Sequence, residues 1–344
     1  MRHFHSLEEV ELKNAWATIG AFDGVHRGHQ AILAPLIKEA HAAGCPAVVV
    51  TFFPHPAVVL RGARSAHYLT TPDERAALLG QVGIDAVVTL AFNPEMAALS
   101  AQQFMQLMKY HLGLRQLWVG YDFALGRNRQ GDIPTLRRLG EELGYSVRVI
   151  AEVTQGGGAV SSSQVRALLR EGNVGQAARL LGRPYHISGE VVHGDARGRK
   201  LGIPTANLAP WTGKIVPANG VYATWAWVPP TPSSADEREV AAGNTPAAAG
   251  SWEETAGRAH IPASSQRVAA VTSIGVNPTF ENQPDSLRIE AHLLNFDRDL
   301  YGQNVTLEFL EYLRPELRFP SVEALLAQIV NDIDRAKEIF AQAV

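Results

Sequence analysis

Two kinds of hydrophobic pattern alternate through the first half of the chain. Short apolar runs rich in β-branched residues, such as AVVVTFF at 47–53 and IDAVVTLAF at 84–92, are typical of buried strands. Between such runs, apolar residues recur at helical spacing. Strands and helices in strict turn bury their apolar faces when helices cover both sides of a parallel sheet. We therefore expect an α/β domain with a parallel sheet over residues 1–184.

Local signals place several of these helices. Thr71, followed by a proline and by Glu74, predicts a helix that begins with a capping box. Ser100 and Gln103 predict a second capping box. Pro35 lies within the first helical stripe, where it is expected to kink the helix or to shift its start.

The pattern changes near residue 185. From there, short strand-like runs such as GVYATWAWV and RIEAHLLNF are separated by turns rich in Gly, Pro and Asn. Such a succession is typical of an all-β barrel or sandwich, and we predict a barrel within residues 185–344. The helical stripe SVEALLAQIVNDIDRAKEIFAQA predicts a terminal helix.

Residues 229–267 differ in composition from the rest of this half. The stretch contains no Leu, Phe or Met. Such a segment buries too little apolar surface to offset the entropy lost on ordering. We interpret it as a flexible insertion in a hairpin.

Composition excludes several classes of protein. The net charge of −3 over 344 residues gives no basic surface of the kind that binds nucleic acid. The one cysteine excludes an internal disulfide and a thiolate metal cluster, and it suits a reducing cytosol. No apolar run approaches the ~20 residues of a membrane span, and the first residues lack a signal-peptide core. We expect a cytoplasmic protein with no nucleic-acid or membrane partner.

The segment GAFDGVHRGHQ, at 20–30, lies where the first strand gives way to the first helix. The start of a helix offers free N–H groups and the positive end of its dipole, and both attract phosphate. Gly24 and Gly28 allow the backbone to approach a ligand closely, and His26 and His29 add donors that can carry charge. This combination suits a reaction at phosphorus, where charge grows on the phosphate oxygens.

Two simpler interpretations of the histidines stay open at this point. A short H-x-G-H run also occurs by chance, as a turn with two solvated imidazoles. Histidines at i and i+3 also chelate zinc, although no third ligand lies nearby in the sequence. The position between a strand and a helix favours the phosphate site.

Four blocks of the first half resemble, in order, the N-terminal module of bifunctional riboflavin kinase/FMN adenylyltransferases, within the HxGH nucleotidyltransferase superfamily. They are GAFDGVHRGH, TFFPHP, VGYDFALGRNRQGD and VSSSQVRALLREGNV. The resemblance implies a Rossmann-like fold and an ATP site formed by Gly20, Phe22, Asp23, Gly24, His26, Gly28, His29, Ser162, Ser163 and Arg166. It implies that the flavin side is formed by Pro54, His55, Pro56, Asp122, Phe123, Arg127 and Arg129.

A second segment, HGDARGRKLGIPTANL at 193–208, is glycine-rich and basic, and the chain contains no Walker A pattern. Thr205 and Asn207 occupy alternate positions of an extended run, so both side chains point to one side. Their hard oxygen atoms suit Mg²⁺, which keeps water and substrate phosphates as further ligands. By composition alone, a glycine-rich hairpin loop is the stronger interpretation.

The same segment resembles the riboflavin kinase signature, in which a P-T-A-N run binds Mg-nucleotide. The blocks LLGRPY, VTSIGVNPTF and RIEAHLLNFDRDLYG resemble that family in the same order. The resemblance implies that Glu290 is the catalytic base. It implies a nucleotide site with Thr205 and Asn207 as the metal ligands, formed by Gly194, Gly198, Gly202, Pro204, Thr205 and Asn207. Without the resemblance, Arg288, Glu290 and His292 form one face of a strand that is typical of a solvent-exposed edge.

Together the resemblances imply two ATP-dependent reactions. The second domain would phosphorylate riboflavin to FMN with Mg²⁺, and the first would adenylylate FMN to FAD with release of pyrophosphate. The implied catalytic residues are Glu290, His26 and His29. Two alternatives stay open, namely a nucleotidyltransferase for another phosphorylated acceptor, such as pantetheine phosphate or nicotinate mononucleotide, and a flavin-binding module without catalysis. The sequence leaves the oligomeric state open.

Overall fold

The computed structural model describes residues 1–61, 67–150, 154–155, 158–194, 198, 201–230, 261–262, 264–276 and 287–342. Among these residues, Met1–Ser162 forms one structural unit and the residues from Ser163 onward form another. The predicted insertion at 229–267 lies for the most part outside the described residues.

The first unit alternates strands and helices, as the hydrophobic pattern predicts. Its strands are β1 Arg2–Phe4, β2 Trp16–Ile19, β3 Ala47–Phe53, β4 Ala86–Ala91, β5 Gln116–Gly120, β6 Ser146–Ile150, β7 Thr154–Gln155 and β8 Gly158–Ala159. Its helices are α1 Arg27–Ala42, α2 Pro56–Arg61, α3 Pro72–Gln81, α4 Pro94–Ala98, α5 Ala101–Leu112 and α6 Ile133–Leu143, with a 3₁₀ turn at Arg127–Arg129.

Six of these strands form one parallel sheet in the order β1-β4-β3-β2-β5-β6. The chain runs from β2 to β3 on one side and later returns to β5 on the other side of β2. The carboxyl end of β2 is therefore a topological switch point, where open α/β sheets bind ligands. The predicted α/β fold is confirmed.

Both faces of the sheet are buried, which explains why its strands are continuous apolar runs. Val48 and Val50 of β3 belong to the core on one face, together with Met105 of α5. Val49 belongs to the core on the other face, together with Leu33 of α1.

Local sequence signals place the helix starts correctly. Thr71 and Glu74 exchange both hydrogen bonds of a capping box at α3, and Ser100 and Gln103 do the same at α5. Helix α1 includes Pro35 and begins at Arg27, so the proline does not shift its start. The short elements β1, α2 and α4 were not predicted, because each is too short to show a hydrophobic period.

The second unit begins with two helices and continues as strands. The helices are α7 Ser162–Arg170, whose first residue belongs to the first unit, and α8 Val174–Leu181; α9 Val322–Gln342 comes last. The strands are β9 Tyr185–Val192, β10 Ala206–Pro210, β11 Gly220–Val228, β12 Gln266–Val276, β13 Leu287–Leu293 and β14 Asn304–Arg314.

These strands form a closed antiparallel barrel in the order β10-β13-β12-β11-β14-β9. The pattern of short strands left a barrel and a sandwich open; the predicted barrel is confirmed, and the sandwich is excluded. Strand β10 was seen in the sequence only as an extended run. Its few residues include Asn207 and Pro210, which are rare in strands, but it joins β13 to β9 and closes the barrel.

The predicted terminal helix, α9, packs on the outside of the barrel. Ala336 and Phe340 of α9 share a buried cluster with Val221 and Ala223 of β11. A buried carboxylate reinforces this contact, because Asp332 accepts hydrogen bonds from the Arg314 guanidinium at 2.8–3.0 Å. No helix among the described residues is long and apolar enough to cross a membrane.

The two units meet in the sequence at Ser162/Ser163, whereas the predicted domain boundary lies at 184/185. The difference consists of α7 and α8. Helix α8 packs against β9 and β14. Its amphipathic pattern indicates a buried face but does not specify which unit covers that face.

Gly140 in α6 provides a test of the packing between α6 and β6. A glycine inside a helix normally costs about 1 kcal/mol relative to alanine. A Cβ at Gly140, however, would lie 2.5 Å from the carbonyl oxygen of Tyr145. We expect Gly140→Ala to destabilise the protein by about 1–3 kcal/mol, as overpacking does, in calorimetric or denaturant unfolding.

The matched control is Gly175→Ala in α8, where the nearest atom, the Leu310 carbonyl oxygen, lies 3.8 Å from an added Cβ. This substitution is expected to be neutral or stabilising. Equal effects of the two substitutions would show that the contact at Tyr145 does not constrain α6.

Candidate active sites

The loop that follows β2 adopts an unusual backbone conformation. Phe22, Gly24 and Val25 have φ angles of +47°, +81° and +40°. A glycine accepts such angles freely, whereas they strain phenylalanine and valine. Strand β2 ends at Ile19, and the strained turn leads from there to α1.

Asp23 holds this loop in place. Its carboxylate is buried and accepts hydrogen bonds from the backbone N–H groups of Leu69 and Thr70 at 3.1 Å and from the Thr70 hydroxyl at 3.0 Å. The Ser162 hydroxyl donates to the backbone carbonyl of Asp23 at 2.9 Å. Asp23, predicted at the ATP site, thus has its carboxylate engaged with the protein itself.

Two stacked imidazoles lie at the start of α1, directly after this loop. His26 is the N-cap of the helix, and its Nδ1 accepts a hydrogen bond from the backbone N–H of His29 at 3.3 Å. The two rings stack with centroids 3.6 Å apart and planes 18° apart. The Phe22 ring lies 5.0 Å from the ring of His29. The predicted histidine pair therefore meets at a helix N-terminus.

His29 is neutral at physiological pH. Burial holds its pKa well below the ordinary value of 6.5, and the neighbouring His26 and Arg75 lower the pKa further. Its Nδ1 atom is buried with no hydrogen-bond partner among the described residues. A neutral imidazole in this position has one N–H that can donate a hydrogen bond.

Two of the predicted glycines are required by close packing. A Cβ at Gly28 would lie 3.0 Å from the Val160 carbonyl oxygen and 3.1 Å from His26 Nδ1. A Cβ at Gly20 would lie 2.9 Å from the Phe22 ring. Both glycines therefore leave room for the imidazole pair and for the ring beside it.

The remaining predicted phosphate contacts lie on α7. Ser162 begins this helix in the first unit, whereas Ser163 and Arg166 follow in the second. Arg166 is four residues after Ser162 and therefore lies on the same side of the helix. The contacts of Ser163 and Arg166 with nucleotide stay predictions.

A cavity of about 450 Å³ opens at the carboxyl ends of β2, β3 and β5. Of the predicted flavin-side residues, His55, Pro56, Phe123 and Arg129 line it, as does Gly20. The rest of its wall is mainly apolar and includes Ile19, Ala21, Phe52, Ala57, Leu60, Phe92, Met96, Leu99, Phe104 and Leu125. The cavity therefore suits a flat, largely apolar ligand.

Three predicted flavin-side residues do not line the cavity, namely Pro54, Asp122 and Arg127. Asp122 and Arg127 are exposed. The backbone carbonyl of Asp122 accepts a hydrogen bond from the Arg129 guanidinium at 3.0 Å, so Asp122 positions a residue that does line the cavity.

Sequence reasoning missed Arg75, which is almost fully buried beneath the loop. Its Nη1 donates to the Thr51 hydroxyl at 3.0 Å, and its Nη2 lies 3.9 Å from the Asp23 carboxylate. Arg75 follows a capping box in a charged helix start, so nothing in the local pattern distinguishes it from a solvated side chain. It brings a positive charge close enough to lower the pKa of His29.

In the barrel unit, strand register brings predicted kinase residues together. Asn207 of β10 lies directly opposite Glu290 of β13, and Glu290 lies opposite Ser273 of β12. Side chains directly opposite each other share a face of the sheet. Ile289 and Ala291 point to the other, buried face, so Asn207 and Glu290 lie on the outside of the barrel.

Neighbouring side chains orient Glu290 and the P-T-A-N run. Glu290 is about one-third exposed, and its Oε1 lies 3.9 Å from Nη1 of Arg288. Nδ1 of His292 is hydrogen-bonded to the Pro204 carbonyl oxygen at 2.8 Å. This bond ties β13 to the residue just before Thr205.

The glycines of the second segment pack against the predicted metal ligands. A Cβ at Gly194 would collide with the Asn207 side-chain amide. A Cβ at Gly198 would collide with the Ile203 carbonyl oxygen and would come within 3.5 Å of the Thr205 hydroxyl. Gly202 has a φ of +77°, a conformation that glycine adopts without strain.

A cavity of about 320 Å³ adjoins this site. Pro204 and Thr205 line it, together with Phe296, Asp297 and Tyr301. The aromatic and acidic residues of this wall come from the turn after β13, within the segment RIEAHLLNFDRDLYG. Thr205 thus lines this cavity and also lies close to Gly198.

The lowered pKa of His29 predicts a pH dependence of stability. Because the unfolded chain binds a proton near pH 6.5 and the folded protein does so only at lower pH, the free energy of unfolding falls as the pH drops below about 6.5. We expect His29→Gln to have a shallower decline than the unmodified chain between pH 6.5 and 5 in denaturant titrations.

The decline that remains in His29→Gln is assigned to other groups, including His3, whose pKa burial also lowers. Identical pH profiles for the two proteins would show that His29 is not held neutral by its surroundings.

Known protein families match both parts of this chain. The family described as FAD synthetase matches residues 8–164, and the family described as riboflavin kinase matches residues 181–340. The bifunctional riboflavin kinase/FMN adenylyltransferase of Escherichia coli K12 is 34% identical over 99% of this chain and 97% of its own length. That of Pseudomonas fluorescens is 36% identical over 99% and 97%.

A solved structure extends the likeness to the fold of the whole chain. The crystal structure of a protein described as the macrolide-efflux protein of Streptococcus pneumoniae is 26% identical, with a TM-score of 0.77 over 97% of this chain and 98% of the other. The two family matches cover most of the sequence, and the bifunctional relatives match at nearly full length. This chain therefore belongs to the family of bifunctional riboflavin kinases/FMN adenylyltransferases, and it is an enzyme that carries both activities.

Proposed function

We propose that the first unit transfers AMP from ATP to FMN at the loop between β2 and α1. The observation that carries this proposal is the stacked His26–His29 pair at the N-terminus of α1, since Gly20 connects this loop to the large apolar cavity. The ATP phosphates bind at the helix start and the imidazoles, and the isoalloxazine ring of FMN occupies the cavity.

In this arrangement the FMN phosphate is the nucleophile. One of its oxygens attacks the α-phosphorus of ATP, and the bond to pyrophosphate breaks. His26 and His29 donate hydrogen bonds to phosphate oxygens on which charge grows in the transition state. The buried guanidinium of Arg75 lies close enough to lower the pKa of His29, so it also adds positive potential for the triphosphate. Ser162 adds a further phosphate contact.

We propose that the barrel unit phosphorylates riboflavin on the outer face of β10 and β13. Glu290 accepts the proton of the 5′-hydroxyl of riboflavin as that oxygen attacks the γ-phosphorus of a second ATP. Gly194, Gly198 and Gly202 allow the backbone to approach the ATP phosphates. FMN, the product of this reaction, is the acceptor of the other one.

The donors near Glu290 fit Mg²⁺. The Thr205 hydroxyl and the Asn207 amide oxygen are hard ligands, and the Asn207 amide packs closely against Gly194. When bound, the ion neutralises charge on the phosphates of ATP. The role of this chain is to hold Thr205 and Asn207 in place and to position Glu290 on the adjacent strand.

Two reciprocal substitutions test the assignment of the sites. His29→Ala is expected to lower FAD formation from FMN by about a hundredfold or more, as loss of an oxyanion donor does, with FMN formation from riboflavin near normal. Glu290→Gln is expected to lower FMN formation by roughly 10²–10⁴-fold, with supplied FMN still converted to FAD. Chromatography of the flavin products in the presence of MgATP measures both activities.

FMN formation serves as the folding control for His29→Ala, and FAD formation from supplied FMN serves as the folding control for Glu290→Gln. Loss of both activities in either variant would contradict two separate sites. Full kinase activity in Glu290→Gln would remove Glu290 as the base.

Gly194→Ala tests the packing that orients Asn207. The added methyl group displaces the Asn207 side chain, so we expect FMN formation to fall at least tenfold with a higher requirement for Mg²⁺. FAD formation from FMN in the same variant is expected to be unchanged. A normal Mg²⁺ dependence would show that Asn207 is not a metal ligand.

A further inference from the structure

A separate group of ligating side chains lies near the amino-terminal strand of the first unit. His3 is on β1, and His5 follows two residues later, with the two ring centroids 4.4 Å apart. Asp73, in the first turn of α3, brings a carboxylate to the same place. Ligand atoms of these three residues all lie within 4.8 Å of one another. None of the three belongs to the residues assigned to either reaction.

The distance between the His3 and Asp73 side chains suits two ligands of one metal ion. Nδ1 of His3 lies 3.5 Å from Oδ1 of Asp73. That distance exceeds the 2.7–3.2 Å typical of an N–H···O hydrogen bond. It is close to the separation of about 3.3 Å between two ligand atoms of a tetrahedral zinc ion with bonds of about 2.0–2.1 Å.

The second nitrogen of His3 has a fixed partner. Nε2 is hydrogen-bonded to the Thr89 hydroxyl of β4 at 2.9 Å. When Nε2 donates its proton to Thr89, Nδ1 keeps its lone pair on the side of Asp73. Metal-binding histidines usually have such an outer hydrogen bond, which fixes the tautomer and the ring orientation.

His5 offers a second imidazole at the same place. The imidazole of His5 is exposed and makes no hydrogen bond among the described residues, so its nitrogens are accessible.

We propose that His3, His5 and Asp73 form a binding site for a divalent cation of the zinc type, with water as the fourth ligand. Two imidazole nitrogens and one carboxylate oxygen are a donor set that zinc commonly accepts. The bound ion links β1, a short strand at the edge of the sheet, to the start of α3. Because the ligands converge only in the folded protein, binding stabilises this unit.

Cobalt(II), which reports tetrahedral coordination by its visible d–d absorption, tests the site. The untagged full chain, freed of metal and without nucleotide, is titrated with Co²⁺ and then with Zn²⁺. We expect tetrahedral bands that saturate at one equivalent and that Zn²⁺ removes. Zn²⁺ is also expected to raise the melting temperature of this protein.

His5→Ala and Asp73→Asn are expected to abolish the Co²⁺ bands and the thermal shift. His5 is exposed, so its replacement leaves both enzymatic activities intact and shows that the variant folds. The matched control is His41→Ala, because His41 also lies beside a carboxylate, Asp85, at 2.9 Å but has no second histidine among the described residues. Tetrahedral bands that persist in His5→Ala, or their absence from the unmodified chain, would overturn the proposal.

Discussion

The first site depends on one buried carboxylate. Asp23 accepts hydrogen bonds from the backbone of Leu69 and Thr70, and these bonds hold a loop in which Phe22 and Val25 occupy strained left-handed conformations. Each such residue costs on the order of 1–3 kcal/mol, so the loop persists only because its surroundings fix it. This loop conformation places His26 as the N-cap of α1, with His29 stacked on it. The imidazole pair is therefore held in place without a ligand.

The barrel positions its polar side chains in a different way. Strand register places Asn207 and Glu290 opposite each other without strain, and close packing against Gly194 then fixes the amide of Asn207. In the first unit a loop and a helix start carry the polar groups, whereas in the barrel the strands themselves carry them. Phosphoryl and nucleotidyl transfer need little covalent chemistry from a protein, so alignment and charge stabilisation can be supplied by either scaffold.

Electrostatics further distinguish the two sites. Burial and the charge of Arg75 keep His29 neutral, so its imidazole carries one N–H donor and no positive charge. Glu290 is partly exposed beside Arg288. In the proposed assignment, the first site stabilises anionic oxygens and the second activates a hydroxyl group.

The sequence by itself determined the features that depend on neighbouring residues. The capping boxes at Thr71 and Ser100, the alternation that gives a parallel sheet and the change to short strands near residue 185 are local patterns with local causes. Motif resemblance predicts both sites for the same reason, since each motif is a continuous run. Of the residues that it assigns, His26 and His29 stack on each other and Asn207 lies opposite Glu290, while their roles stay predictions.

Tertiary structure decided what depends on residues distant in the chain. The engagement of the Asp23 carboxylate, the burial of Arg75, the apolar wall of the cavity beside β2 and the closure of the barrel by β10 each require partners from other elements. The side on which α8 packs is another example, because an amphipathic helix specifies that one face is buried but not what covers it. A hydrophobic period depends only on residues that are close in the sequence. A hydrogen bond or a cavity wall between distant residues exists only after the chain has folded.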